Sequence, residues 1–169
     1  MAVSVAYEGR AAREKALGKT LAKVARVLMA DAKLTRRELS LVLTDDDHIR
    51  VLNHDFRGED KATDVLSFPM DEGPDDVPAI LPGSGHGRGR GGPPEPLGDI
   101  VMSVETMTRE AGLAGLSPEA MAIFLLIHGF CHLRGHDHAE PQEAGAMRAE
   151  EDRLLALVLP GQARPATPY

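Results

Sequence analysis

The chain has 169 residues, 43% of them hydrophobic and 27% charged, which implies one domain over residues 1–169 with a core of ordinary size and excludes a wholly disordered chain. Its longest uninterrupted apolar stretch, Ala120 to Ile127, is eight residues, far short of the roughly 20 a spanning helix needs. The net charge of −7 hides an asymmetry: residues 1–38 hold nine Lys or Arg against four acids, leaving +5 there and −12 elsewhere. Such a basic run is ordinarily a solvated helix face, and contact with a polyanion is the alternative.

VSVAY near the start alternates as a β-strand does, and a helix from about Ala11 to Ala30 follows, with Leu17, Leu21, Val24 and Leu28 at helical spacing. ELSLVLT (Glu38 to Thr44) is a second strand, and Thr44 is positioned to cap a short helix carrying Ile49, Leu52 and Asn53. TDVLSFPM (Thr63 to Met70) is a third strand, with Pro69 marking its end or an edge. Asp71 to Pro96 then holds seven glycines and six prolines in 26 positions and reads as a loop or flexible insertion, with Arg88 and Arg90 inside it. Gly98 to Ser103 is a fourth strand.

The remainder is helical. Val104 to Leu113 forms one helix, and a second starts at Ser117 as cap with Pro118 in its first turn. This second helix is apolar nearly all round, so it is expected to be buried, and it ends at Gly135. Glu140 to Leu159 makes a final helix, and the tail PGQARPATPY is expected to fray. The fold class is α+β, a small four-stranded mixed sheet with helices packed on it. With one cysteine, Cys131, no intrachain disulfide forms, and MAVSVAYEGR lacks the marks of a secretory signal. The expected compartment is therefore the cytoplasm.

The chemistry is concentrated in HGFCHLRGHDH, His128 to His138. His128 and His132 are four apart on a helix, so their side chains share one face. Gly135 lets the chain break and turn, and His138 can approach from beyond the helix. The spacing H-x-x-x-H-x-x-G-x-x-H is that of a three-histidine zinc site. Nickel also suits three imidazoles. His136 is read as a surface residue, Cys131 as core packing, and Asp137 as the residue placed to orient a ligand imidazole. Three protein ligands leave a fourth position for water, which marks a catalytic rather than a structural site and implies hydrolysis. Metalloproteases of this spacing carry Glu after the first His, whereas this chain has Gly129. A phosphodiester instead calls for a cation to stabilise phosphoryl charge, a task suited to arginine.

HGFCHLRGHDH, with NHDFRGEDKATDVLSFP (Asn53 to Pro69) and LGDIVMS (Leu97 to Ser103), closely resembles the YbeY family of bacterial rRNA-maturation endoribonucleases. The resemblance implies an α+β fold, zinc on His128, His132 and His138, and an activity that requires Arg57. It also implies ribosomal particles as partners and a role in 16S rRNA 3′ end maturation and ribosome quality control. Cys131, His136 and the insertion depart from the family pattern without touching the three ligands. Single-stranded RNA is the expected substrate, because a flexible backbone can enter a cleft closed to an A-form duplex. Asn53, Lys61 and Ser67 are lesser candidates for RNA contact. The alternatives are a metal-dependent hydrolase of another substrate and a non-catalytic ribosome-assembly factor with a structural metal. Oligomeric state cannot be read from these residues.

Overall fold

Four short runs of alternating or apolar residues pair into one sheet in the computed structural model, which describes residues 2–70 and 94–166. Strands β1 (Ala2–Tyr7), β2 (Arg37–Thr44), β3 (Val65–Pro69) and β4 (Glu95–Ser103) lie in the order β1-β2-β4-β3. β1, β2 and β4 are parallel, while β3 runs antiparallel to β4 on the edge. The parallel pairs are joined through helices, as parallel strands require. Helices α1 (Lys15–Asp31), α2 (Asp46–Arg57), α3 (Val104–Ala114), α4 (Pro118–Leu133) and α5 (Pro141–Val158) complete the α+β architecture.

The period-2 alternation of the strands sends side chains to two unequal layers. Leu39, Leu41, Leu43, Ile100 and Met102 enter the larger core with α1, α3, α4 and α5, whereas Val42, Leu66 and Val101 meet Ile49 of α2 on the other face. Helix α4 is buried along nearly its whole length, which accounts for its apolar circumference. Among the described residues no single helix is long and apolar enough to cross a membrane.

Several boundaries differ from expectation for identifiable reasons. The helix expected from Ala11 opens instead as a 3-10 turn, Gly9–Arg13, with the α-helix beginning at Lys15. The cap of α2 is Asp45, whose carboxylate accepts the His48 N–H at 3.0 Å. Thr44 is the last residue of β2, and its buried hydroxyl has no hydrogen-bond partner among the described residues. Strand β4 begins at Glu95, inside the segment read as a loop, because a register slip opposite Glu38 and Leu39 accommodates Pro96. Gly98 follows at φ +151, where a Cβ would lie 2.5 Å from the Phe68 carbonyl oxygen. The rest of the insertion, with Arg88 and Arg90, lies outside the described residues. The described part of the tail is anchored at Arg164 and Pro165: Arg164 bonds Asp152 and the Arg148 carbonyl, and Pro165 is buried.

Candidate metal centre

Helix α4 carries His128 and His132 on one face, one turn apart, at the end that leads into the turn beyond Leu133. Gly135 at φ +88 reverses the chain there, and His138 returns toward the helix. One ligand atom from each of the three imidazoles lies within 4.8 Å of the others. Their burial is graded: His128 is buried, His132 half-buried and His138 exposed, so the trio opens toward solvent on one side.

Hydrogen bonds at Nδ1 select the neutral tautomer of two of the rings. Nδ1 of His128 lies 2.9 Å from Oε2 of Glu151, on α5, and Nδ1 of His132 lies 2.9 Å from the His136 carbonyl oxygen. Both oxygens are acceptors, so both Nδ1 atoms carry the proton, and in the neutral ring Nε2 is then the unprotonated nitrogen. Those two Nε2 atoms face each other at 3.2 Å. Two lone pairs so close repel unless a cation lies between them. Tetrahedral bonds of 2.0 to 2.1 Å to zinc place ligand nitrogens about 3.3 Å apart. The donor set therefore fits a divalent ion of the zinc type. Burial, then the neighbouring His128, lowers the His132 pKa, which keeps that ring neutral. Burial alone would raise the Glu151 carboxyl, but bonds from His128 and Arg164 outweigh it and hold the group below the ordinary carboxylate range.

The remaining predicted residues divide. Cys131 is fully buried, and burial followed by the nearby Glu151 and Glu150 pushes its thiol up to about 12, so it packs rather than ligates. Asp137 accepts from the N–H of His138 at 2.7 Å, and the orienting of His128 and His132 falls to Glu151 and to the main chain of His136. No local signal in the sequence distinguishes Glu151 from its acidic neighbours Glu150 and Asp152. Asn53 turns inward, donating to the Lys61 carbonyl at 2.9 Å, and latches the loop after α2. Lys61 is exposed and pairs with Glu59. Arg57 is the exposed last residue of α2, stopped by Gly58 in the left-handed region. No described contact joins Arg57 to the imidazoles. Its neighbour Phe56 stacks edge-on against Phe68 at 5.3 Å. From the other side of the sheet, Leu133 approaches Gly98, which pairs beside Phe68. The end of α2 and the end of α4 thus meet the same stretch of β3 and β4.

A concavity of about 450 Å³ lies on the α2 face of the sheet, and His128, His132 and His138 are not among its lining residues. Val42, Leu52, Phe68 and Val101 form its apolar walls, with Glu8, Asp47, His48 and Asp99 among its polar groups.

The family model described as Endoribonuclease YbeY matches residues 5–158. This chain belongs to the YbeY family. A relative named Endoribonuclease YbeY from Syntrophotalea carbinolica is 38% identical over 153 residues, covering 89% of this chain and 93% of that protein. One of the same name from Salinispora tropica is 44% identical over 119 residues, 70% of this chain and 73% of that protein. The match to the Myxococcus xanthus protein of that name is 44% over 131 residues, 78% of this chain but only 40% of the longer relative. The solution structure of a Thermotoga maritima protein shares the fold, with a TM-score of 0.54 at 22% identity over 98% of this chain and 99% of that one. In this member of the YbeY family the clustered histidines sit at the end of the buried helix α4 and in the turn beyond it.

Proposed function

We propose that this YbeY-family chain is a metal-dependent endoribonuclease that cuts single-stranded RNA. Its cellular substrate on this reading is the 3′ end of 16S rRNA in ribosomal particles, in the cytoplasm, with a part in ribosome quality control. The observation that carries the reading is the convergence of three imidazoles, with Nε2 of His128 and Nε2 of His132 3.2 Å apart and a ligand atom of His138 within 4.8 Å of both. Those three residues would hold one ion, zinc or nickel. Such an ion supplies Lewis acidity toward a phosphoryl oxygen and lowers the pKa of a water toward 7.

The chain's own groups do the rest. Glu151 and the His136 carbonyl hold two ligand rings in the binding tautomer. Arg57 is unencumbered by any ion pair among the described residues and offers a permanently charged planar donor to the phosphate. Its link through Phe56 and Phe68 to the end of the sheet met by Leu133 supports that role. Gly129 occupies the position of the usual peptidase base, which favours phosphodiester over peptide chemistry.

The test is metal analysis of the purified protein together with cleavage of single- and double-stranded RNA, beside His132→Ala and Arg57→Glu. The expected result is about one ion per chain, cutting of single strands, loss of both ion and cutting in His132→Ala, and loss of cutting with the ion retained in Arg57→Glu. A folded protein without metal, or one that cuts peptides and leaves RNA whole, overturns the proposal. RNA processing that survives His132→Ala while the melting temperature falls would make the metal structural.

A further inference from the structure

We infer that the outward face of α1 is a docking ridge for the phosphodiester backbone of single-stranded RNA, an inference that rests on the endoribonuclease reading. At 100° per residue, Lys19, Lys23 and Arg26 lie within about 60° of arc on the helix, opposite Leu21, Ala25 and Leu28, which are buried. All three cations are exposed, and among the described residues none forms an ion pair. Lys15 continues the row one turn earlier, where its ammonium lies 3.6 Å from the centre of the Tyr7 ring. A solvated helix face normally mixes signs, and here the one acid within α1, Asp31, is turned aside to pair with Arg153 of α5. The ridge is therefore of a single sign on a chain of net −7. A surface that collects cations while the rest of the molecule repels anions is complementary to a polyanion, and it steers one to this side.

The ridge also leads toward the imidazoles. Asp31 ends α1 and bonds Arg153 at 2.7 Å. Arg153 bonds Glu150 at 2.7 Å, and Glu150 bonds Arg134 at 3.2 Å, two residues beyond His132. This chain of ion pairs ties the C-terminal end of α1, on the flank of the ridge, to the turn that carries the candidate ligands. An extended strand lying on α1 would thus be delivered along its length to the place of cutting, and the benefit would grow with strand length.

The triple variant Lys19→Gln/Lys23→Gln/Arg26→Gln, which keeps good helix formers at exposed positions, tests this. Cleavage kinetics are measured on a single-stranded RNA 30-mer and on a hexamer between 50 and 200 mM salt. Removing three contacts lowers the slope of log affinity against log salt by about 2, so the variant loses about 16-fold less over that range than the parent. The expected loss at 50 mM salt is about a tenfold rise in KM for the 30-mer, much smaller for the hexamer, and restored in the matching Lys19→Arg/Lys23→Arg protein. Unchanged KM and salt slope with the melting temperature intact overturn the ridge and leave the endoribonuclease reading standing. A parent protein that cuts no RNA overturns that reading instead. Loss of binding to phosphatidylserine vesicles with RNA kinetics unchanged would assign the ridge to a membrane surface and overturn the RNA proposal.

Discussion

His128 and Glu151 lie 23 positions apart in the chain, yet the imidazole Nδ1 and the carboxylate Oε2 are 2.9 Å apart, both residues buried. The contact ties α4 to α5 and determines which nitrogen of His128 carries the proton in the neutral ring. Arg164 closes the far side of the same carboxylate at 3.4 Å, so an unpaired buried charge is avoided.

Replacing Glu151 by Gln therefore keeps the volume and removes the charge that holds the ring. Zinc affinity of the metal-stripped protein should fall 10- to 100-fold, roughly the usual loss when a partner of a metal-ligating histidine is changed. Glu151→Ala goes further and leaves the His128 donor unsatisfied, at about 1–3 kcal/mol, visible as a lower melting temperature even without metal. Competition with a chromophoric chelator measures the first effect and calorimetry the second. Unaltered affinity in both variants would mean that Glu151 does not position the ring.

The cap of α2 makes stability depend on pH in two opposite directions. Burial alone would raise the Asp45 carboxyl, but hydrogen bonds from the Arg10 N–H and from the ring and N–H of His48 outweigh it and hold its pKa far below the ordinary range. A depressed acid contributes stability above its unfolded value, about 3.9, and that contribution is lost as pH falls below it. His48 is raised, chiefly by its bond to Asp45, so its contribution is full below about 6.5 and is lost as pH rises through the higher folded value. Asp45→Asn should flatten both limbs in urea unfolding followed from pH 2.5 to 8. Asn is itself a good cap, so Asp45→Ala should cost more, about 1–2 kcal/mol at pH 7. Identical pH profiles for Asp45→Asn and the parent would rule this account out.

The histidine trio was readable because an i, i+4 pair on a helix and a following glycine are local signals, and α4 because an apolar circumference has no other home than a core. Glu151 carried no such signal. Helix α5 holds Glu150, Glu151 and Asp152 in succession, and only packing against α4 selects the middle one. Thr44 and Asp45 are adjacent and both good caps, so the choice depended on where β2 ended, which pairing with β4 decides. The start of β4 was hidden because Glu95 and Pro96 close a Gly/Pro-rich run that reads as loop until the bulge that admits Pro96 is seen. The tail looked free because the anchor is a single arginine, Arg164, reaching back over Phe124.

Asp99 shows the fold carrying a cost. It is buried in β4 beside Val42 and Val101, and Oδ2 has no hydrogen-bond partner among the described residues. Burial raises its pKa, a bond with Ser40 opposing this only in part. An acid raised in the folded state costs nothing below its unfolded value of about 3.9, and its cost grows as pH climbs toward the folded value. Asp99→Val should therefore stabilise the protein at pH 7 by about 1–2 kcal/mol, the range found when a buried unsatisfied group is removed. The gain should shrink toward pH 3. A variant less stable than the parent at pH 7 would indicate that Asp99 has a polar partner in solution.

Gly129 tests whether the missing peptidase base is a matter of space as well as chemistry. A Cβ at this position would lie 3.2 to 3.4 Å from three side-chain atoms of Ile100, because this face of α4 is pressed against the sheet. Alanine would gain about 1 kcal/mol of helix propensity and give back a similar amount in crowding, so Gly129→Ala should be close to neutral. Relief of the contact by Ile100→Val should then make the double variant more stable than Ile100→Val alone. Glutamate has no such escape. Its carboxylate would enter the apolar layer between α4 and β4, with a loss of at least about 3 kcal/mol from overpacking and an unpaired buried charge. Gly129→Glu should melt far below the parent and gain no activity on a casein or peptide panel. A well-folded Gly129→Glu protein that cuts peptides would show that the side chain can reach the imidazoles, and that the helix face seen here is not the one that matters.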